Sequence, residues 1–250
     1  MGHLTKKKYS RRFYRKQSLG SLSSAREIVP LILELIQPTS VIDVGCGIGT
    51  WLSVFKEHYI DDILGVDGDY VDRKMLLIPE ERFMPLDLTK PIRMQRHFDL
   101  VISLEVAEHL PEVYADVFVE TLTRLGTLVL FSAAIPFQRG TGHANEQWPD
   151  YWAEKFEKRG YVPVDCLRRR IWQNQDVEVF YAQNLLMFID ERELERYPTL
   201  KIERERTGQL SIVHPAIYMG NILTSDSLKL EIRRFLSALK HTTLRALGLR

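Results

Sequence analysis

The sequence predicts an α/β protein with a doubly wound, mostly parallel seven-stranded sheet. Three observations carry that expectation. Short apolar, strand-like runs alternate with helically spaced segments along residues 24–190, a glycine turn follows the first run, and carboxylates stand at the ends of several others.

The first run, Val41-Ile42-Asp43-Val44, joins β-favouring residues to one carboxylate and leads into Gly45-Cys46-Gly47-Ile48-Gly49-Thr50. Glycines at alternate positions let the backbone bend sharply and approach a ligand closely. Trp51 to His58 is expected to follow as a helix. A dinucleotide-binding fingerprint would put its third glycine where Thr50 stands, whereas here it is Gly49. Taken alone, the stretch indicates a nucleotide-like ligand at a strand end or a tight turn with no ligand.

The other elements follow in order. Residues 1–23 are a basic, aromatic arm, expected as a solvated segment whose Tyr9, Phe13 and Tyr14 fold over the domain; a phosphate contact is the alternative. Ser24-Ala25-Arg26-Glu27 has capping-box spacing, and Ile28, Leu31, Ile32 and Leu35 continue a helix until Pro38. Ile63–Asp67 reads as the second strand. Asp67 lies 18 residues beyond Gly49 (67 − 49), near where a doubly wound fold places the acid that accepts from ribose hydroxyls; a turn Asp before Gly68 is the plainer reading. Phe83–Leu88, with Asp87, is the third strand and Phe98–Leu104 the fourth. Glu105–Leu110 is expected to open a helix, Val113, Val117, Phe118, Thr121 and Leu122 keep helical spacing, and Thr127–Ser132 is the fifth strand. Trp152–Arg159 reads as a helix, and Tyr161–Val164 and Tyr181–Ile189 as the last two strands. Residues 191–250 form a charge-dense extension with an amphipathic segment at Leu228–Leu239, open to roles as lid, oligomer contact or surface helix.

Composition bounds the function. With 250 residues and 45% hydrophobic content, the chain can bury one core and carry an appendage. Its 34 basic and 33 acidic residues nearly cancel, so no overall charge drives it toward nucleic acid or acidic membranes. No apolar run approaches the roughly 20 residues needed to span a bilayer. The two cysteines, Cys46 and Cys166, fit a reduced compartment, and a soluble cytoplasmic protein is expected.

The compressed glycine spacing, with Asp43 just ahead of it, resembles the first motif of the class I S-adenosylmethionine (SAM)-dependent methyltransferases, over residues 24–190. That resemblance implies a Rossmann-like methyltransferase fold whose last strand is antiparallel. It implies SAM as cofactor, held by Asp43, Gly45, Cys46, Gly47, Gly49, Asp67, Gly68, Asp87, Leu88 and Glu105, with Asp87 bordering the adenine. Ligands of open parallel sheets bind beyond the carboxyl ends of the strands, where these residues fall.

A second constellation is Glu105-x-x-Glu108-His109, followed 34 residues later (143 − 109) by His143 in the segment Gly140–Trp148. On a helix, positions three and four apart share a face, which would give a metal half-site. This set resembles the ubiquinone-biosynthesis O-methyltransferases and the small-RNA 3′-terminal 2′-O-methyltransferases. In the RNA family the matching side chains, here Glu105, Glu108, His109 and His143, hold a divalent ion. Two imidazoles with two carboxylates would suit Zn, Mn or Fe better than Mg. The candidate catalytic residues are therefore His143, Glu105 and His109; without metal, His143 is the general base. Trp148, Tyr151 and Trp152 either wall a substrate pocket or pack a helix; Arg139 and the run Arg168-Arg169-Arg170 either meet an anionic substrate group such as a phosphate or form a solvated basic turn, the plainer reading.

The expected activity is O-methylation of a small-molecule hydroxyl in a sugar, catechol or other vicinal diol. The alternatives are an RNA 2′-O-methyltransferase and a SAM-binding partner protein without catalysis.

Overall fold

The structure, a computed structural model, describes residues 11–222 together with 232 and 235. It comprises two compact units, Met1–Ile212 and Val213–Arg250. The first unit holds a seven-stranded sheet in the order β3-β2-β1-β4-β5-β7-β6. Its strands are β1 (Ser40–Val44), β2 (Asp62–Asp67), β3 (Phe83–Pro85), β4 (Leu100–Leu104), β5 (Leu128–Ser132), β6 (Tyr161–Val164) and β7 (Leu186–Asp190). The first five pair in parallel, and β7 runs antiparallel to both β5 and β6. The expected doubly wound, mostly parallel sheet with an antiparallel last strand is present.

Every residue of β1, β4, β5 and β7 is buried, because helices cover both faces of the sheet. The two-residue strand period divides their side chains between two cores. Val41, Leu100, Ile102 and Leu130 join Ile28 and Ile32 of α1 (Arg11–Ile36) and Leu52 and Phe55 of α2 (Thr50–Glu57). Ile42, Val44, Val101, Val129 and Phe131 join Phe118 and Leu122 of α3 (Ala115–Leu125) and Trp152 and Phe156 of α4 (Pro149–Glu157) on the other side.

Four local expectations differ from the structure. α1 begins before Ser24, so that residue is helix interior, and its hydroxyl donates to Gly20 O at 2.8 Å and accepts from Glu178 N at 2.8 Å. A capping box needs a free helix start, and the continuing chain removes it. Residues 105–110 are no regular helix: Glu105 has φ 55°, and only a single 3₁₀ turn, Ala107–His109, follows. The run Tyr181–Ile189 divides into α6 (Val179–Asn184) and β7, since a short apolar run carries no period that separates helix from strand.

The fourth difference lies in the arginine run on α5 (Arg168–Ile171). Arg168 is buried, donating to the carbonyls of Leu210 (2.7 Å) and Gln183 (3.2 Å) and to Asp165 Oδ2 (2.7 Å), while Arg170 reaches Glu34 at the surface. Arg168 thereby ties the residues before β7 to the segment after α7 (Pro198–Arg206), whose Leu200 is also buried. The second unit contributes α8 (Pro215–Ile222) to the description. The expected lid residues Tyr9, Phe13 and Tyr14, and the segment Leu228–Leu239 apart from 232 and 235, lie outside the residues whose side chains are described. Among the described residues, no helix is long and apolar enough to cross a membrane.

Removing the buried Arg168 guanidinium leaves Asp165 and three carbonyls without their donor. Arg168→Met is expected to lower the unfolding free energy by about 3 kcal/mol in denaturant titration. Arg170→Met, which breaks a surface pair, should change it by less than about 1 kcal/mol.

Candidate active site

Parallel pairing registers β1 between β2 and β4, so the carboxyl ends of these strands come together at one sheet edge. Beyond β1, Gly45, Gly47 and Gly49 take φ values of 92°, 54° and 80°, a backbone region that side chains disfavour. The turn they make encloses a cavity of about 60 Å³ with Asp43, Trp51, Tyr181 and Ser21 in its wall. Tyr181 Oη accepts from Trp51 Nε1 at 3.3 Å and lies 3.2 Å from Ser21 Oγ, so α1, α2 and α6 meet there.

Asp43 and Asp67 are buried beside this turn. Burial, reinforced by the Asp67 charge, holds the Asp43 carboxyl well above the ordinary carboxylate range. Burial raises Asp67 too, against the opposing pull of three donors. Those donors are Gly47 N at 2.7 Å, Gly68 N at 2.6 Å and Tyr70 Oη at 2.5 Å. Cys46 is buried, which pushes its thiol upward. Asp87 lies past the end of β3, which stops at Pro85 instead of continuing to Leu88. It is exposed and already accepts from Thr89 N and Oγ1, which hold it below its usual range. Leu88 is buried in the core on the α3 side.

Glu105 leaves β4 with a left-handed backbone and its amide bonded to Ser132. Its carboxylate accepts from Gln138 Nε2 at 2.8 Å and Asn184 Nδ2 at 3.1 Å. Burial nevertheless pushes it up to about 6. Among the described residues the candidate metal group is Glu108, His109 and His143; Glu105, occupied by these two amides, is not part of it although its charge acts on Glu108. The helical alignment of Glu105 with Glu108 and His109 fails because the chain turns at Glu105.

The three remaining residues cluster tightly, with one ligand atom from each lying within 4.8 Å of the others. Glu108 has no exposed side-chain surface; no side chain hydrogen-bonds its oxygens closely, and the backbone amides of Glu108 and Ala134 give only a weak opposing pull. Burial first, and then the charge of Glu105, push its carboxyl well above the ordinary range. The His109 and His143 rings meet edge to face with centroids 4.9 Å apart. His143 Nδ1 bonds Glu146 Oε1 at 2.8 Å, and its Nε2 lies 3.9 Å from Glu108 Oε1. Glu146 is itself fixed by the amides of Phe137 (2.9 Å) and Arg139 (2.8 Å), while Ala144 N and Asn145 N donate to Glu108 O.

Arg139 and His143 line one open depression of about 370 Å³. The aromatic trio does not form a wall. Trp152 packs against Phe131 in the core at 5.3 Å, Tyr151 bonds Glu112, and Trp148 is exposed. Sequence reasoning missed Gln138, Asn184, Glu146 and Tyr70. Only Glu146 carried a local signal, its three-residue spacing from His143; the amides around Glu105 come from distant segments.

A family model described as a methyltransferase domain matches residues 14–179, and the chain belongs to that family, the class I SAM-dependent methyltransferases. Among solved structures, the chain is similar to the methyltransferase domain of bacterial CtHen1-C, at 19% identity and TM-score 0.51, over 67% of this chain and 97% of that one. It is also similar to LaPhzM, at 14% identity and TM-score 0.52, over 76% and 61% of the two chains. A third similarity is to the magnesium protoporphyrin IX methyltransferase ChlM of Synechocystis PCC 6803 with bound SAH, at 17% identity and TM-score 0.49, over 73% and 91%. At these identities the likeness to the first two shows the fold alone. No curated protein matches the chain by sequence.

The two acidic residues are expected to differ in effect. Asp67→Asn, a change at a buried carboxylate bonded to the glycine turn, should raise the Kd for SAM at least about tenfold by calorimetry. Asp87→Asn, at a carboxylate already satisfied by Thr89, should shift it by less than about threefold.

Proposed function

We propose that the protein transfers the methyl group of SAM to a hydroxyl of a small molecule such as a sugar, catechol or other vicinal diol, with a divalent cation held by Glu108, His109 and His143. The observation that carries this reading is the Glu108 carboxylate, wholly buried, without a close side-chain donor, and set against two imidazoles. A buried carboxylate is strongly disfavoured unless it takes up a proton or meets a cation. One carboxylate with two imidazole nitrogens fits Zn, Mn or Fe as donor chemistry. Bound there, such an ion would lower the pKa of a hydroxyl that it touches.

The chain's own groups account for the rest. His143 Nδ1 pairs with Glu146 at 2.8 Å; the tautomer that donates from Nδ1 would leave Nε2 with its lone pair on the side of Glu108. As a base, Nε2 takes up the hydroxyl proton; as a ligand its lone pair would be committed to the cation, which would acidify the hydroxyl so that its proton passes to solvent water. The acceptor oxygen attacks the methyl carbon in line as the carbon–sulfur bond breaks, and the demethylated thioether leaves uncharged. Asp43, the glycine turn and Asp67 are assigned to the cofactor, and Glu105 to the cofactor side of the junction, since its two amide donors hold it off the cation set. Left-handed backbone at Glu105, Phe137 and Arg139 supports a functional role for this edge, because strained residues cluster at sites of chemistry. The net charge of +1 favours a small acceptor over RNA.

Incubation with labelled SAM and fractionated extract is expected to label a small molecule. Label in RNA would shift the assignment to nucleic acid, and no label would leave a SAM-binding protein without catalysis. His143→Ala should reduce transfer by about a hundredfold or more while the Kd for SAM stays within about threefold. Exhaustive chelation should abolish transfer, with Mn or Zn restoring it; activity that survives chelation removes the cation from the proposal.

A further inference from the structure

The hydrogen-bond inventory of Asp67 is nearly full. An ionised carboxylate offers about four lone-pair sites, two on each oxygen. Oδ1 already receives Gly68 N and Tyr70 Oη, and Oδ2 receives Gly47 N. A ribose diol that donates one hydrogen bond to each oxygen needs a vacant site on both. Oδ2 has one left, whereas Oδ1 has none. One of the three donors must therefore leave before the diol can dock.

Two of the donors are backbone amides, fixed by the glycine turn and by the end of β2. The third is a side chain that rotation about its own torsions removes. Tyr70 is returned to Asp67 by a tight turn, with Val71 N donating to Gly68 O at 3.2 Å, and its ring lies directly over Gly68. A Cβ at position 68 would come within 2.1 Å of the Tyr70 ring, so glycine there is what lets the ring lie down. The phenol thus reaches Oδ1 of a buried carboxylate from a half-buried position against the core on the α1 side.

We propose that Tyr70 is a latch on the cofactor site: its hydroxyl holds the place of a ribose hydroxyl on Asp67 and must swing away for SAM to bind. The inference rests on the reading of Asp67 as ribose acceptor. Tyr70 then sets cofactor affinity by competition, since the binding-competent form is only the fraction of molecules with the latch open. The consequence is opposite in sign to that of an ordinary contact residue. Deleting the hydroxyl strengthens binding.

The test is calorimetric titration of the full chain with SAM and with its demethylated product SAH, in wild type, Tyr70→Phe, Asp67→Asn and the double variant, each checked for native unfolding behaviour. Tyr70→Phe should lower both Kd values by about tenfold. The gain should vanish in the Asp67→Asn background, as a double-mutant cycle requires for coupled groups. Wild type that binds neither ligand overturns the cofactor reading and the latch with it. Wild type that binds, with Tyr70→Phe no tighter or weaker, overturns the latch alone, as does a gain that persists without the Asp67 carboxylate.

Discussion

The parallel pairing of β1 with β2 on one side and β4 on the other is the constraint on which the site depends. Parallel neighbours end at the same edge, so the chain segments that leave them start within reach of one another whatever their separation in sequence. The glycine turn, Asp67 and Glu105 are neighbours for that reason. The fully buried strands beneath them form a rigid platform, and both cores pack against it. Loss of that register would scatter the site without altering a single functional residue.

Above this edge, the segment after β5 does two jobs by alternating direction. Gln138 points inward to the Glu105 carboxylate, while Phe137 and Arg139 on either side adopt left-handed backbone, and their amides fix Glu146. Glu146 in turn orients His143, and the loop is fastened by two amides to the Glu108 carbonyl. One strained turn therefore separates two carboxylates that a regular helix would have placed on the same face. Glu105 becomes a carboxylate held by amides and raised to about 6, and Glu108 is left as a buried carboxylate facing two imidazoles.

The same economy appears at Asp67. Its donors are two amides of the turns that shape the site and one side chain from the following turn. Buried polar groups need partners, and in the free protein those partners come from the chain itself. Binding a diol is then an exchange of hydrogen bonds, in which the side-chain donor is the exchangeable one.

The sequence by itself determined the fold and the glycine turn at the end of its first strand. Strand runs at regular intervals, the Gly45–Gly49 spacing and Asp67 at a strand end are local signals, and local signals survive folding when the backbone pattern matches them. It also picked out Glu108, His109 and His143. Tertiary structure decided their company. The turn at Glu105, the burial of Trp152 and Arg168, and the interior position of Ser24 depend on what packs against each residue, which no local spacing encodes. Asn184 lies 79 residues from the carboxylate it holds, and Tyr70 reads in sequence as one more turn tyrosine. Hydrogen bonds between distant segments exist only once the sheet has brought their ends together, and there Glu105 took amide partners while Glu108 came to face the two imidazoles.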